Sequence, residues 1–313
     1  MTTLLTEPPH AAPADRLRRE MAALRLSFHW LGARKSLSRQ QRTAAAQQFG
    51  AADAFLSAGK KLLDTSHPRF KEVSAVRHRA LDYARGMSLP YPEPGIRLIR
   101  RDDLDEIGRR FGEFQLDLGL KVDQLEAEYE QLRESAREQL GRLYAPSDYP
   151  ASLTEEFALS WEFPSVEPPE YLQRLSPALY RREAARVAAR FDAAVELAEE
   201  AFAGELSQLV GRLAERLAGE VDGRPKVFRD SAVANLSEFF QRFRRLNVGS
   251  SAELEELVDQ AAATLTGVGP QALRDGSALR RQVAGELTRV QAALEGLMVD
   301  RPRRNLLRST PEA

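Results

Sequence analysis

The sequence predicts a mainly α protein: a long antiparallel helical hairpin with packed C-terminal helices and a small N-terminal αβ head containing a two-stranded ribbon. Three observations predict it. Pro177 to Gly219 and Leu104 to Tyr144 each carry apolar residues three or four apart without interruption, and a shorter stretch near the N-terminus alternates apolar and polar residues as a strand does. The composition agrees, with 29% charged and only 7% aromatic residues, a balance suited to long amphipathic helices.

The first rod has Tyr180, Ala184, Val187, Phe191, Val195, Ala198, Phe202, Leu206, Leu209, Leu213 and Leu217 on one seam. The rhythm is eleven residues in three turns, close to the natural helical period, so the stripe stays straight. Ser176 and Pro177 suit the N-cap and first helical position, while Gly219 and Gly223 supply the stop. Such a helix is roughly 60 Å long. The second rod opens on Asp103 and Glu106, spaced as a capping-box variant, and carries Leu104, Ile107, Phe111, Phe114, Leu118, Val122, Leu125, Tyr129, Leu132, Ala136, Leu140 and Tyr144. Neither stripe is stable in water uncovered, so each is expected to cover the other, with a coiled-coil-like seam of hendecad period.

Residues 1–15 read as a disordered tail and 16–100 as the head. Leu24, Leu26, Phe28 and Trp30 alternate with polar residues, which makes Ala23 to Leu31 a strand ended by Gly32. Ser38 and Gln41 form a capping box before a helix carrying Phe49, Phe55, Leu62 and Leu63. His67-Pro68 starts another with Phe70, Val73, Val76, Leu81 and Tyr83. Beyond a Pro-rich corner, Ile96, Leu98 and Ile99 mark the strand Gly95 to Arg100, paired with the first as the ribbon.

Residues 101–300 read as an elongated bundle with an irregular cap over 145–176. The cap holds one short helix begun by Ser152-x-x-Glu155, and Trp161 and Phe163 anchor it. Core helices follow over Phe228 to Leu246, from Ser250-x-x-Glu253 through Leu265, and from Pro270 to Met298. Residues 301–313 form a basic tail.

The absence of cysteine excludes disulfides, thiolate metal sites and cysteine nucleophiles. No signal-peptide pattern opens the chain and no apolar run reaches the length of about 20 needed to span a bilayer. The expectation is a cytoplasmic protein without membrane association. The net charge of −1 hides a polarity: residues 1–100 hold 17 Lys/Arg against 8 Asp/Glu, a balance of +9; residues 101–200 hold 12 against 23, a balance of −11; the remainder, 16 against 15, adds +1. Opposite-signed segments that fold onto each other, or simply solvate, explain this most economically, and a basic face awaiting an acidic partner is the other reading.

No phosphate-binding loop, dinucleotide fingerprint, nucleophile elbow or His-Glu-x-x-His motif occurs. The Glu-x-x-His pairs of a di-iron bundle are missing too. The four histidines, His10, His29, His67 and His78, suggest no metal site, and neither metal nor cofactor is expected. The candidate partner-binding residues are Lys60, Lys61, Arg69, Lys71, Arg77 and Arg79 on the N-terminal elements, with Trp161 and Phe163 in the cap. Arg85, Arg242, Arg244 and Arg245 extend the basic set.

Three stretches carry a resemblance: Trp30 to Leu37; Asp148-Tyr149-Pro150 with Trp161; and Val227 to Ser231 running into Asn235 to Phe240. Together they resemble an uncharacterised helical domain family of bacteria, plasmids and phages. The resemblance implies an accessory role beside AAA+ ATPases of the MoxR kind and von Willebrand-type metal-binding modules, and it supplies no functional residues. The expected function is a non-enzymatic scaffold or adaptor that docks a protein partner, with an AAA+ ATPase assembly as one candidate. The alternative is sequence-tolerant nucleic-acid binding through the basic N-terminal helices.

Overall fold

The computed structural model describes residues 12–221 and 224–299. In chain order the elements are α1 (Pro13–Glu20), β1 (Met21–Trp30), β2 (Arg34–Ser36), α2 (Arg39–Gln48), β3 (Gly59–Lys61), α3 (Pro68–Gly86), β4 (Ser88–Pro90), β5 (Ile96–Arg100), α4 (Leu104–Glu126), α5 (Tyr129–Leu140), β6 (Phe157–Glu162), α6 (Tyr171–Leu175), α7 (Pro177–Ala218), β7 (Glu220–Val221), β8 (Arg224–Pro225), α8 (Ser231–Leu246), α9 (Ala252–Leu265), α10 (Pro270–Asp275) and α11 (Ser277–Val299). The protein is mainly helical with a small antiparallel sheet component. Contacts divide it into two units, each discontinuous in sequence. Unit 1 comprises residues 1–22, 87–100 and 165–313, and unit 2 comprises residues 23–86 and 101–164.

Unit 1 is built around α7, which runs 42 residues as the periodicity predicts. Pro177 takes the first turn, and the Ser176 carbonyl accepts from the Tyr180 N–H at 2.9 Å, although the Ser176 hydroxyl makes no cap bond. From the seam, Val187, Phe191, Ala198, Phe202, Leu206, Leu213 and Leu217 are buried. So are Ala193, Ala194, Ala203, Val210 and Ala214, because α11, α1, α8 and α9 pack around more of the helix than one stripe. Small residues let α11 approach closely: a Cβ on Gly211 would lie 3.0 Å from the Gln291 amide. Phe202 meets Phe243 and Phe239 edge-on at 5.0 and 6.1 Å. In the same unit β4 pairs with β5, Leu89 opposite Leu98.

Unit 2 sets α4 against α3 and β6. Ile107, Phe111, Phe114, Leu118, Val122 and Leu125 are buried on α4, and Phe70, Val73, Val76, Ala80 and Ala84 on α3. β1 pairs antiparallel with β6, Leu26 opposite Trp161 and Phe28 opposite Leu159. Trp30 and Phe157 meet edge-on at 4.9 Å, and Tyr83 meets Phe111 at 5.8 Å.

Several expectations need correction. The stripe of α7 finds cover within unit 1 from α11, α1, α8 and α9, and that of α4 within unit 2 from α3 and β6, neither of which was foreseen. The second rod is also broken. α4 ends at Glu126, α5 begins at Tyr129, and Gly141 at φ +50 closes α5 before Tyr144. Asp103 makes no side-chain cap bond. Both strands of the expected ribbon gain partners not foreseen, β6 for β1 and β4 for β5. The helix expected through Phe55, Leu62 and Leu63 ends at Gln48, where Gly50 at φ +64 turns the chain toward β3.

In the supposed cap, Ser152 begins no helix: its hydroxyl accepts from the Thr154 N–H at 3.2 Å in a local turn. The N-cap of α9 is Ser251, which accepts from Leu254, and not Ser250. Gly276 splits the last expected helix into α10 and α11. Of the two expected tails, 1–11 and 301–313 lie outside the described residues, and Pro13 to Asp15 form the first turn of α1. No helix among the described residues is long and apolar enough to cross a membrane.

Candidate docking surface

Between β1 and α3, unit 2 carries an excursion from Arg34 to Lys61 made of β2, α2, the short 3-10 turn Asp53–Phe55 and β3. β2 and β3 pair antiparallel with Arg34 opposite Lys61, Lys35 opposite Lys60 and Ser36 opposite Gly59. Two like-charged cross-strand pairs are unfavourable unless something offsets them. For Lys35 and Lys60 the offset is Asp148. The Lys60 ammonium lies 2.5 Å from Asp148 Oδ2 and donates to the Leu143 carbonyl at 2.6 Å, while Lys35 donates to Asp148 Oδ1 at 2.7 Å. These contacts, that of Lys35 foremost and then that of Lys60, hold the Asp148 carboxyl below the usual carboxylate range.

Successive pairs along a ribbon point to opposite faces. Arg34 and Lys61 therefore stand on the face away from Asp148, both exposed. Neither forms an ion pair among the described residues, and Lys61 adds only a lesser attraction to Asp64, whose carboxyl is lowered first by the Ser66 hydroxyl and backbone N–H.

The connection between the strands is equally open. Ser38 caps α2 as the sequence predicts: its hydroxyl accepts from the Gln41 N–H at 3.2 Å, and the Gln41 side chain accepts from the Ser38 N–H at 3.0 Å. Yet α2 buries only Ala46, since its Gln- and Ala-rich sequence offers no face of large apolar residues. Phe49 is 78% exposed and Phe55 93%. Residues 34–61 hold the cations Arg34, Lys35, Arg39, Arg42, Lys60 and Lys61 against the single acid Asp53. Asp53 accepts from the Thr43 hydroxyl at 3.1 Å. With Lys35 and Lys60 committed to Asp148, four cations and two exposed phenylalanines share this excursion.

The candidate residues divide accordingly. Lys60, expected on a binding face, is 7% exposed and held internally, its ammonium engaged by the Asp148 carboxylate and the Leu143 carbonyl. Arg69 donates to Glu128 at 2.9 Å and reaches Glu72 at 3.3 Å. Arg79 pairs with Asp117 at 2.5 Å. The Arg77 guanidinium covers the rings of Phe28 and Trp30 at 5.2 and 5.1 Å. Lys61 and Lys71 remain exposed. Trp161 is half-buried, tilted against Phe111 at 5.7 Å, while Phe163 is 42% exposed and anchors less. Lys60, Arg69 and Arg79, half of the six basic candidates, thus neutralise acids of residues 101–200 inside unit 2, which accounts for part of the charge polarity.

Phe49, Phe55, Arg34 and Arg39 are absent from the sequence-derived candidates. Gly50, and the lack of any large apolar neighbour three or four residues before Phe49 on α2, were the available signals. Among the described residues no group of three or more His, Asp or Glu side chains is arranged to hold a metal ion. Comparison with known proteins finds no match for the chain among family models, curated proteins or solved structures.

Proposed function

We propose that the protein is a non-catalytic helical scaffold or adaptor, and that the excursion Arg34 to Lys61 is the module with which it docks an acidic protein partner. The observation that supports this most is the exposure of Phe49 and Phe55 on the same excursion that carries the exposed Arg34, Arg39 and Lys61. Exposed large aromatics contribute nothing to the fold where they stand, and aromatic and arginine side chains are those that dominate interface energetics. An AAA+ ATPase, the partner class implied by the resemblance, is the first to test. Affinity capture on immobilised protein should retain a partner that the Phe49→Ser/Phe55→Ser double variant loses. Equal retention by both proteins sinks the reading.

Nucleic-acid binding is the second reading, since aromatic platforms beside cations also suit single strands. The commitment of Lys35, Lys60, Arg69 and Arg79 to carboxylates weighs against a continuous phosphate track. Filter retention of single-stranded oligonucleotides titrated against salt separates the two: a steep salt slope abolished by the double variant selects nucleic acid.

A further inference from the structure

We propose that a cavity within unit 1 binds a small organic phosphate through Arg212, Arg216 and Arg229. The cavity, of about 620 Å³, lies between the C-terminal half of α7 and the segment entering α8. That size falls in the range of about 300–1,000 Å³ typical of small-ligand sites. Arg212 and Arg216 are four residues apart on α7 and so project from one face. Arg229 comes from the facing segment.

The local carboxylates are already engaged. Glu215 accepts from the Lys226 ammonium at 3.1 Å, which with the lesser attraction of Arg216 lowers its carboxyl, and Asp230 accepts from Arg274. Arg212 and Arg229 form no ion pair among the described residues, the neighbouring acids pairing with Lys226, Arg242 and Arg274 instead. Three arginines line one cavity, two of them without an ion pair, and guanidinium groups suit the oxygens of a phosphate, which they can grip bidentately. Leu209 and Val227, the latter 84% exposed, give the same cavity an apolar wall that a bare phosphate would not use. An organic group attached to the phosphate would. Soluble phosphate esters and lipid headgroups share this chemistry.

The test uses the full chain. Calorimetric titration with pyrophosphate and with glycerol 3-phosphate, at constant ionic strength, is repeated on Arg212→Gln, Arg229→Gln and Arg244→Gln. Arg244 is exposed on α8 and does not line the cavity, so its variant removes equal charge elsewhere. Weakening of at least about tenfold in the first two variants, with Arg244→Gln unchanged, is the expected result. Circular dichroism confirms folding, and Arg229→Gln, outside any helix, carries the test should Arg212→Gln unfold. Co-sedimentation with phosphatidylcholine vesicles, with and without phosphatidic acid, identifies a lipid source if binding needs the acid and is lost in the same two variants. Absence of binding in every arm, or equal weakening in all three variants, overturns the proposal. The docking module belongs to unit 2, so either reading can fail alone.

Discussion

The Lys60 ammonium lies 2.5 Å from the Asp148 carboxylate, with side chains 5% and 7% exposed, and with the Lys35–Asp148 and Lys60–Leu143 contacts this pair ties the β2–β3 ribbon to the segment after α5. The excursion that β2 and β3 bound has a meagre apolar interior, so the ion pair matters more to it than to a well-packed hairpin. Removing one member of a buried pair strands the other charge and costs about 3 kcal/mol or more. Asp148→Asn should therefore lower stability by about 3 kcal/mol in urea unfolding. Lys35→Ala, at a side chain 54% exposed, should cost under about 1 kcal/mol.

The same pair sets a pH dependence with a definite sign. Folding lowers the Asp148 carboxyl pKa through Lys35 and Lys60. Its stabilisation is therefore complete above the unfolded-state value of about 4 and disappears as pH falls through the lowered folded value. The difference in unfolding free energy between wild type and Asp148→Asn should be constant near neutrality and shrink below about pH 4. A difference that shrinks instead on the alkaline side, near neutral pH, would assign the effect to another group.

How much of this was legible in the sequence depends on where each stripe found its cover. α7 was legible almost to the residue, because a continuous apolar seam, Pro177 and Gly219 all point the same way. Its neighbours were not: periodicity says that a face is buried but not by what, and α11, with an ordinary stripe of its own, proved the main cover. β6 was legible and missed. Phe157, Leu159 and Trp161 alternate with Ala158, Ser160 and Glu162, a strand pattern obscured by the prolines that follow. The docking surface was half legible. Charge could be counted, but whether Lys60 or Arg34 would meet a carboxylate depends on the β2–β3 register and on Asp148, far along the chain.

Phe49→Ser and Phe55→Ser should leave stability within about 0.5 kcal/mol of wild type, the usual effect of substitutions at exposed positions. Thermal unfolding checks this directly. Loss of several kcal/mol in either variant would show that the ring is buried in the protein as it exists, and would remove the ground for a docking role.

Two glycines of unit 1 should respond in opposite directions to alanine. Gly204 lies mid-α7, and apart from its chain neighbours and its own helix backbone nothing comes within 4 Å of where a Cβ would stand, so Gly204→Ala should stabilise by about 0.5–1 kcal/mol through helix propensity alone. Gly249 has φ +141, and a Cβ there would lie 2.6 Å from Pro13 Cβ in α1. Gly249→Ala combines strain with a clash and should cost about 1–3 kcal/mol. Urea midpoints that move in the same direction for both would contradict the backbone assignment at one of them.

Arg280 closes the C-terminal end of α7. It is 8% exposed, and its Nε donates to the Leu217 carbonyl at 2.8 Å while one terminal nitrogen donates to the carbonyls of Arg216 at 2.7 Å and Lys226 at 2.6 Å. The last carbonyls of a helix lack intrahelical donors and carry the negative end of its dipole, so a buried guanidinium serves both needs at once. Its ring contact with Phe228, 5.8 Å from the guanidinium carbon, fills the remaining side. Arg280→Met leaves three carbonyls without this donor. At about 1–3 kcal/mol for each buried group left unsatisfied, partly relieved by water entry, the loss should be about 3 kcal/mol. Arg280→Lys keeps the charge, but its single ammonium lacks the fork that spans Leu217 and Lys226, so it should recover less than half of that loss. Chemical denaturation of the two variants decides it: full rescue by lysine would mean that charge alone, and not the planar fork, holds the end of α7.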